Sequence, residues 1–387
     1  MSQHRCRVLH VVGTMNPGGL ETWLLQVLGH LDPTSFQFDF CVCGAEAGVY
    51  TRQVENLGGR ILMCPKSPDL LSFRRGFMKI LREGKYDVVH SHVCFFSGVI
   101  LSWAQKESVP IRIAHSHNVH DGKPDTFPRI LYRTIMKSWI NRHATHGLAA
   151  SKPAARALFG DNWETNERFQ ILHYGLALQP FQKSIDRAEV RAEFGIPAAT
   201  PVVGHVGRFD HLKNHSFLIE VANAVLNRRP DVHFLFIGDG PLRPAIETRV
   251  RQMGLSQKVH FAGIRTDVPR LMIGAMDFFV FPSVYEGFGL CLLEAQAAGL
   301  QCLVSDAVPD EVIKVPGSVE FVSLSSGKDY WSAKIISGLD SRQSKSTSGL
   351  SDELQDRFSI QQSLRELTNV YASHQMPNTS LAMEQHV

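Results

Sequence analysis

The sequence predicts an α/β protein built as two doubly wound, parallel-sheet domains. Short apolar runs alternate with amphipathic helical stretches, the rhythm pauses near residue 175, and it then resumes for a second full cycle. A chain of 387 residues is also too long for one ordinary core.

In the first half, Val8–Gly13, Phe38–Cys43, Arg60–Cys64, Asp87–His90, Ile111–His115 and Gly147–Ala150 read as buried strands. Leu20–Leu31, Leu71–Glu83, Ser97–Lys106 and Phe127–Asn141 read as the helices between them. Residues 174–199 interrupt the pattern with Tyr174-Gly175, Pro180 and Pro197, around one short helical stretch near Ala188–Phe194. This is the expected hinge, so the first domain is placed at 1–175 and the second at 176–358. The second repeats the theme with strands Pro201–Gly207, His233–Gly238, Val259–Ala262, Phe278–Phe281 and Gln301–Ser305. Its helices are His215–Asn227, Leu242–Met253 and Leu290–Ala298. Residues 341–351, rich in Ser, Lys and Gly, read as a mobile loop, and a last amphipathic helix is expected at about 359–373. The tail 374–387 lacks periodicity and is expected to be disordered.

A net charge of +3 is too weak for nucleic acid to be the main partner. The seven cysteines form no CxxC pair and sit mostly in apolar runs, which suits reduced thiols in a cytoplasmic protein. The apolar run after Arg5 and Arg7 ends at Val12, shorter than a secretory core, and the stretch Val93–Ala104 is too short to span a bilayer. The expectation is a cytoplasmic protein, either free or peripheral at the inner face of the cell membrane.

Open parallel sheets bind ligands at the C-terminal ends of their strands, so each strand end is a place to look. After the first strand, Gly13-Thr14-Met15-Asn16-Pro17-Gly18-Gly19-Leu20-Glu21 leads into a helix. Gly18 and Gly19 allow close backbone approach there, although a plain tight turn fits equally. After the second domain's first strand, Gly207-Arg208 and Lys213-Asn214 offer a guanidinium and an ammonium that suit a diphosphate, or else a solvated basic turn. The most informative segment runs from Tyr285 to Ala295. A strand ends at Pro282-Ser283, and a glycine-rich turn through Gly287, Phe288, Gly289 and Leu290 opens a helix whose free amides suit a phosphate. Glu286 lies in that turn. Glu294 lies among Leu292, Leu293 and Ala295, where a carboxylate needs partners such as ribose hydroxyls. A fourth feature is His115, His117 and His120, with His90 and His92 ending the preceding strand. Their spacing matches neither H-E-x-x-H nor a Cys/His finger, so a strand-end histidine meeting ligand is expected rather than a metal site.

Together these residues resemble the retaining glycosyltransferases of the GT4 family, over nearly the whole chain from Val8 to about Tyr371. The resemblance implies the GT-B architecture, two Rossmann-like domains facing a central cleft, and is strongest to the branch of bacterial exopolysaccharide and lipopolysaccharide assembly. Glu286 and Glu294 match the family's E-x7-E element, which implies that Glu286 contacts the donor sugar and Glu294 the ribose. Arg208 and Lys213 match the pair on the donor diphosphate, and Gly18-Gly19 the loop facing phosphates and acceptor. His117 matches the cleft histidine near the reacting sugar, with His115 the lesser alternative. Gly238-Asp239-Gly240-Pro241 matches the loop after the second domain's second strand, and the final helix one that crosses back to the first domain. One departure stands out. The family often reads Asn-Gly-Val-Asp near the hinge, and this chain has Tyr174-Gly175-Leu176-Ala177.

The implied reaction moves a sugar, with retention, from a nucleotide-sugar to a glycan or lipid-linked acceptor. A UDP-sugar is favoured only as the family's commonest donor. No Asp-x-Asp occurs, so neither a metal nor another cofactor is demanded. A sugar-nucleotide epimerase of the same architecture and a non-catalytic nucleotide-sugar-binding protein remain the competing readings, while the missing G-x-G-x-x-G argues against an oxidoreductase. The segment 73–85 places Arg74, Arg75, Lys79, Arg82 and Lys85 beside Phe73, Phe77, Ile80 and Leu81. It fits either an anionic membrane surface or a core-facing helix with solvated basic residues.

Overall fold

The computed structural model describes residues 5–64, 69–313, 315–342 and 359–372. They form two compact units. The first runs to Gly175 and takes in the helix from Ile360. The second comprises Leu176–Ser359, with Pro17–Gly19 grouped with it.

The first unit is a seven-stranded parallel sheet in the order β3-β2-β1-β4-β5-β6-β7. Its strands are β1 (Cys6–Val12), β2 (Phe36–Val42), β3 (Arg60–Met63), β4 (Val88–Ser91), β5 (Ile111–Ser116), β6 (His146–Ala149) and β7 (Phe169–Ile171). The central strands β1, β4 and β5 are buried almost throughout, as expected where helices cover both faces of a sheet. The helices are α1 (Gly19–His30), α2 (Thr51–Asn56), α3 (Leu70–Gly84), α4 (Ser97–Lys106), α5 (Phe127–His143) and α6 (Lys152–Phe159). The Asp69 side chain caps α3 by accepting from the Leu71 and Ser72 amides, and Ser151 caps α6 in the same way. Phe73, Phe77 and Leu81 of α3 lie in the hydrophobic core. Of the two readings of segment 73–85, the structure therefore realises the core-facing helix, and its apolar side is not available to a membrane.

The second unit is a six-stranded parallel sheet in the order β10-β9-β8-β11-β12-β13. Its strands are β8 (Val202–Val206), β9 (His233–Ile237), β10 (Val259–Gly263), β11 (Phe278–Phe281), β12 (Gln301–Ser305) and β13 (Val319–Val322). Its helices are α7 (Arg187–Ala192), α8 (His215–Leu226), α9 (Arg243–Gln252), α10 (Val268–Gly274), α11 (Leu290–Ala297) and α12 (Gly327–Arg342). Both sheets change direction beside their first strand, between β1 and β4 and between β8 and β11. These are the switch points at which doubly wound sheets hold ligands.

The last described helix, α13 (Ile360–Ala372), belongs to the first unit. The Trp23 indole N–H donates to Ser363 Oγ at 2.9 Å, Ser363 Oγ donates to the His173 carbonyl at 3.1 Å, and Tyr371 OH lies 2.7 Å from His90 Nδ1. The expected loop at 341–351 falls almost wholly outside the described residues, and the tail 374–387 entirely so. Among the described residues no helix is long and apolar enough to cross a membrane.

Candidate functional site

In the second unit, the loops that follow β8 and β11 meet at the switch point. The Val284 amide donates to the Leu212 carbonyl at 2.8 Å, which ties the two loops together. One residue beyond Leu212 and two beyond Val284, Lys213 Nζ lies 2.5 Å from Glu286 Oε2, with the side chains 18% and 14% exposed. The ammonium also sits 4.6 Å above the Phe281 ring. Burial alone would lower the Lys213 pKa, but the Glu286 carboxylate overrides it, so the net shift is upward and the ammonium stays charged. Arg208 is exposed, and among the described residues its guanidinium has no ion-pair partner.

Glu286 is followed by the turn that starts α11. Gly289 caps the helix at φ +91°, a left-handed conformation that glycine adopts without strain. The nearest atom to a Cβ there is Glu286 Cγ at 3.4 Å, so the backbone angle, not space, demands glycine. Phe288 and Leu290 are buried and anchor the turn, leaving the first amides of α11 at its open end. Glu294 is 7% exposed, and no described residue pairs with its carboxyl. Burial pushes its pKa up to about 8. The Ser283 hydroxyl, at the end of β11, is fully buried and also lacks a partner among the described residues. A fixed cation, helix-end amides, and an unpaired buried acid and hydroxyl thus share one strand-end region, which is the equipment for holding a polyhydroxylated anion.

Gly238, predicted as a donor contact, has a structural task. Its φ is +134°, and a Cβ would come within 2.1 Å of the Gly207 carbonyl oxygen. Gly240 presses in the same way on Phe209, and the Phe209 amide donates to the Asp239 carbonyl at 3.0 Å. These glycines let the loop after β9 pack under the loop that carries Arg208. Behind Lys213, His205 and His215 form a buried perpendicular pair with ring centroids 4.8 Å apart. Burial lowers both pKa values, to about 4 and about 2, so both rings are neutral. In the sequence Ser283 marks only a strand end and His215 only a helix start, because a lone Ser or His carries no spacing signal.

In the first unit, the histidines at the ends of β1, β4 and β5 join into two hydrogen-bonded rows. One runs His10 Nδ1 to His92 Nε2 at 3.0 Å, His92 Nδ1 to His117 Nε2 at 2.8 Å, and His117 Nδ1 to Tyr174 OH at 2.6 Å. The other runs from Tyr371 through His90 to His115 Nδ1, the last step being 3.0 Å. Burial, reinforced at His90, His92 and His115 by neighbouring imidazoles, holds these rings well below the usual histidine pKa, with His10 and His117 at about 3. The ring nitrogens of His92, His115 and His117 lie close enough for a metal ion. The pairing of one imidazole with the next accounts for most of that closeness, leaving His10 Nε2 and His115 Nε2 unpartnered. His117 therefore has both nitrogens engaged by protein groups, and its Tyr174 partner occupies the place of the family's usual Asn. His120 stands apart, with its Nδ1 accepting from the Gly122 amide at 3.0 Å.

Gly18 and Gly19 lie where predicted, at the opening of α1, in a loop held by neighbouring backbone. The Met15 amide donates to the Ala47 carbonyl at 2.9 Å and the Val49 amide to Asn16 Oδ1 at 2.9 Å. Thr14 Oγ1 in the same loop is buried and unpartnered among the described residues.

Two family models cover most of the chain: a glycosyl transferase 4-like domain at residues 18–175 and glycosyl transferases group 1 at residues 200–339. A putative glycosyltransferase, EpsF of Bacillus subtilis, is 33% identical over 96% of this chain and 97% of its own length. An Escherichia coli UDP-Gal:α-D-GlcNAc-diphosphoundecaprenol α-1,3-galactosyltransferase is 27% identical over 59% of this chain and 60% of its own. Among solved structures, Anabaena HepE in complex with UDP and glucose superposes with a TM-score of 0.80 at 19% identity, covering 95% of this chain and all of that one. The chain belongs to the GT4-type glycosyltransferases and has their GT-B fold of two Rossmann-like domains.

Proposed function

We propose that the chain transfers a hexose from a UDP-sugar, with retention of anomeric configuration, to a glycan or lipid-linked acceptor in polysaccharide assembly. The observation that carries this reading is the Lys213–Glu286 pair at the β8/β11 switch point, beside the opening turn of α11. Lys213, Arg208 and the first amides of α11 hold the diphosphate and stabilise its charge as the anomeric C–O bond lengthens. Glu294 accepts hydrogen bonds from the ribose, which supplies the partners its buried carboxyl lacks. Glu286 serves the sugar hydroxyls and keeps Lys213 aimed, and the family resemblance gives His117 a sugar contact, which it makes by exchanging its His92 or Tyr174 hydrogen bond.

In the proposed step the bond from the anomeric carbon to phosphate oxygen breaks, and one to the acceptor oxygen forms on the same face. The departing phosphate oxygen takes the acceptor's proton, so no protein base is needed. The positive groups named above supply the charge that a metal would otherwise bring. The UDP complex of HepE and the lipid-diphosphate substrate in the name of the Escherichia coli relative support the donor and acceptor classes.

The test is a thermal-shift screen of nucleotide-sugars, followed by proton NMR of the product formed with the best donor. A product anomer matching the donor's is expected. Inversion overturns the retaining assignment, acceptor-free conversion of the donor makes the protein an epimerase, and absence of turnover with any donor favours a binding protein.

A further inference from the structure

His10, His90, His92, His115 and His117 crowd together in the first unit, and the pairing of one ring with the next leaves His115 half explained. Its side chain is fully buried, its Nδ1 lies 3.0 Å from His90 Nε2, and its Nε2 meets no partner among the described residues. A buried ring nitrogen in this state forgoes a hydrogen bond, a loss that protein interiors rarely accept. His92 and His117 stand beside it. Each of the three offers a ring nitrogen within 4.8 Å of those of the other two. Ring centroids are 4.0 Å apart for His115 and His117, 5.0 Å for His92 and His117, and 5.5 Å for His92 and His115. Imidazoles bound tetrahedrally to one ion have centroids about 5 Å apart, given metal–nitrogen bonds of about 2 Å.

The second nitrogen of each ring is already held. His92 Nε2 lies 3.0 Å from His10 Nδ1, His115 Nδ1 3.0 Å from His90 Nε2, and His117 Nδ1 2.6 Å from Tyr174 OH. Each partner can accept the N–H that a metal-bound ring turns away from the ion, which fixes the tautomer and aims the ring. Burial keeps all three rings uncharged, the form that binds metal. His92 Nδ1 and His117 Nε2, 2.8 Å apart, remain to join His115 Nε2. An ion among them replaces one hydrogen bond by three metal–nitrogen bonds once that pair opens to about 3.3 Å. His117 is only partly buried, which gives the ion a way in and a fourth position for water. The other close trio, His10, His90 and His92, is buried throughout, and Tyr371 and His115 engage both nitrogens of His90. Spacing along the chain conceals the first trio, because its members come from the ends of two strands.

We propose that His92, His115 and His117 form a three-histidine site for a borderline divalent transition metal, with zinc the best match to neutral imidazoles in a tetrahedral array. The ion does not serve the transfer. It competes with the sugar contact proposed for His117, a consequence that rests on the proposed function, whereas the site itself does not.

Tag-free, full-length protein, stripped of metal with a chelator, is titrated with cobalt(II) and then with zinc. One cobalt per chain is expected, with the strong visible absorption of a tetrahedral ion, and zinc should abolish that absorption by displacement. His115→Gln and His117→Asn should each weaken zinc binding about a hundredfold or more, since loss of a group behind a ligand already costs about 10–100-fold. His120→Ala should leave binding unchanged. So should His260→Asn in the second unit, where His233 Nδ1 and His260 Nε2 also lie 2.8 Å apart. Circular dichroism of the metal-free variants checks their fold, and the partly exposed His117 carries the test if His115→Gln does not fold. Absence of the tetrahedral spectrum overturns the proposal, as does cobalt binding that His117→Asn leaves intact. Zinc should also slow transfer by the wild-type chain. A chain that binds zinc yet transfers sugar undiminished upholds the metal site and removes His117 from the sugar contact.

Discussion

Lys213 and Glu286 lie 73 positions apart in sequence, yet their charged atoms are 2.5 Å apart where the sheet of the second domain changes direction. Each comes from the loop that follows one of the two strands flanking the switch point. Because both are largely shielded from solvent, neither charge tolerates loss of the other. Lys213→Met should destabilise the second domain by about 3 kcal/mol in urea unfolding, since it strands a buried carboxylate. Adding Glu286→Gln should recover much of that loss. Additive effects of the two substitutions would show that the pair is not coupled.

Glu294 makes the second domain sensitive to pH. Its folded pKa is raised to about 8 from the ordinary 4.5, so the folded protein retains a proton that the unfolded chain gives up. This contribution is fully favourable below about 4.5 and is lost as pH rises towards 8. Glu294→Gln should therefore flatten the decline in thermal midpoint between those values. If ribose hydroxyls donate to the ionised carboxylate, UDP binding will release a proton near neutral pH. Calorimetry in buffers of different ionisation enthalpy measures that release directly.

The histidine rows of the first domain respond in the opposite sense. Their folded pKa values lie far below the ordinary 6.5, with His10 and His117 at about 3, so the unfolded chain binds the extra protons on acidification. Stability is intact above about 6.5 and falls as pH drops towards 3. Trp23 stacks on Tyr174 and stands edge-on to His115, so near-ultraviolet circular dichroism should record loosening there. Tyr174→Phe should leave the acid transition in place, because burial, not the tyrosine, depresses the His117 pKa.

Two glycines separate conformational strain from steric overlap. Gly289→Ala should cost about 1–2 kcal/mol, the strain of a left-handed L-residue, because the space for its methyl group exists. Gly238→Ala should be far worse, since its Cβ would meet the Gly207 carbonyl at 2.1 Å and force the Arg208 loop away. Comparable melting temperatures for the two variants would refute that distinction.

Much of this molecule was legible in its sequence. The strand Phe278–Phe281 and the helix Ser97–Lys106 lie within the predicted bounds, because continuous apolar runs and a clean helical period mark them. The glycine turn and its two glutamates were legible for the same reason, being one contiguous segment that joins a strand to a helix. β7 and α2 escaped notice because three and six residues are too few to establish a period. Helix α12 carried a readable signal in Trp331, Ile335 and Leu339, all buried at four-residue spacing, and went unpredicted beside a Ser-rich loop. The histidine rows are tertiary: His10 lies in β1 and His117 just past the end of β5, and the parallel pairing of β1, β4 and β5 brings them together. Gly238 has a packing task that its sequence context hid, because a glycine at a strand end suits a ligand contact and a tight loop crossing alike, and only the backbone positions reveal the close approach to Gly207.

The most direct test of the donor site is the affinity of UDP, measured by isothermal titration calorimetry, for the wild-type chain and for Arg208→Ala and Lys213→Ala. Each substitution is predicted to weaken binding about tenfold or more, because a hydrogen bond to a charged group contributes ~1.5–3 kcal/mol. Unchanged affinity in both variants would contradict the placement of the diphosphate beside Lys213 and α11.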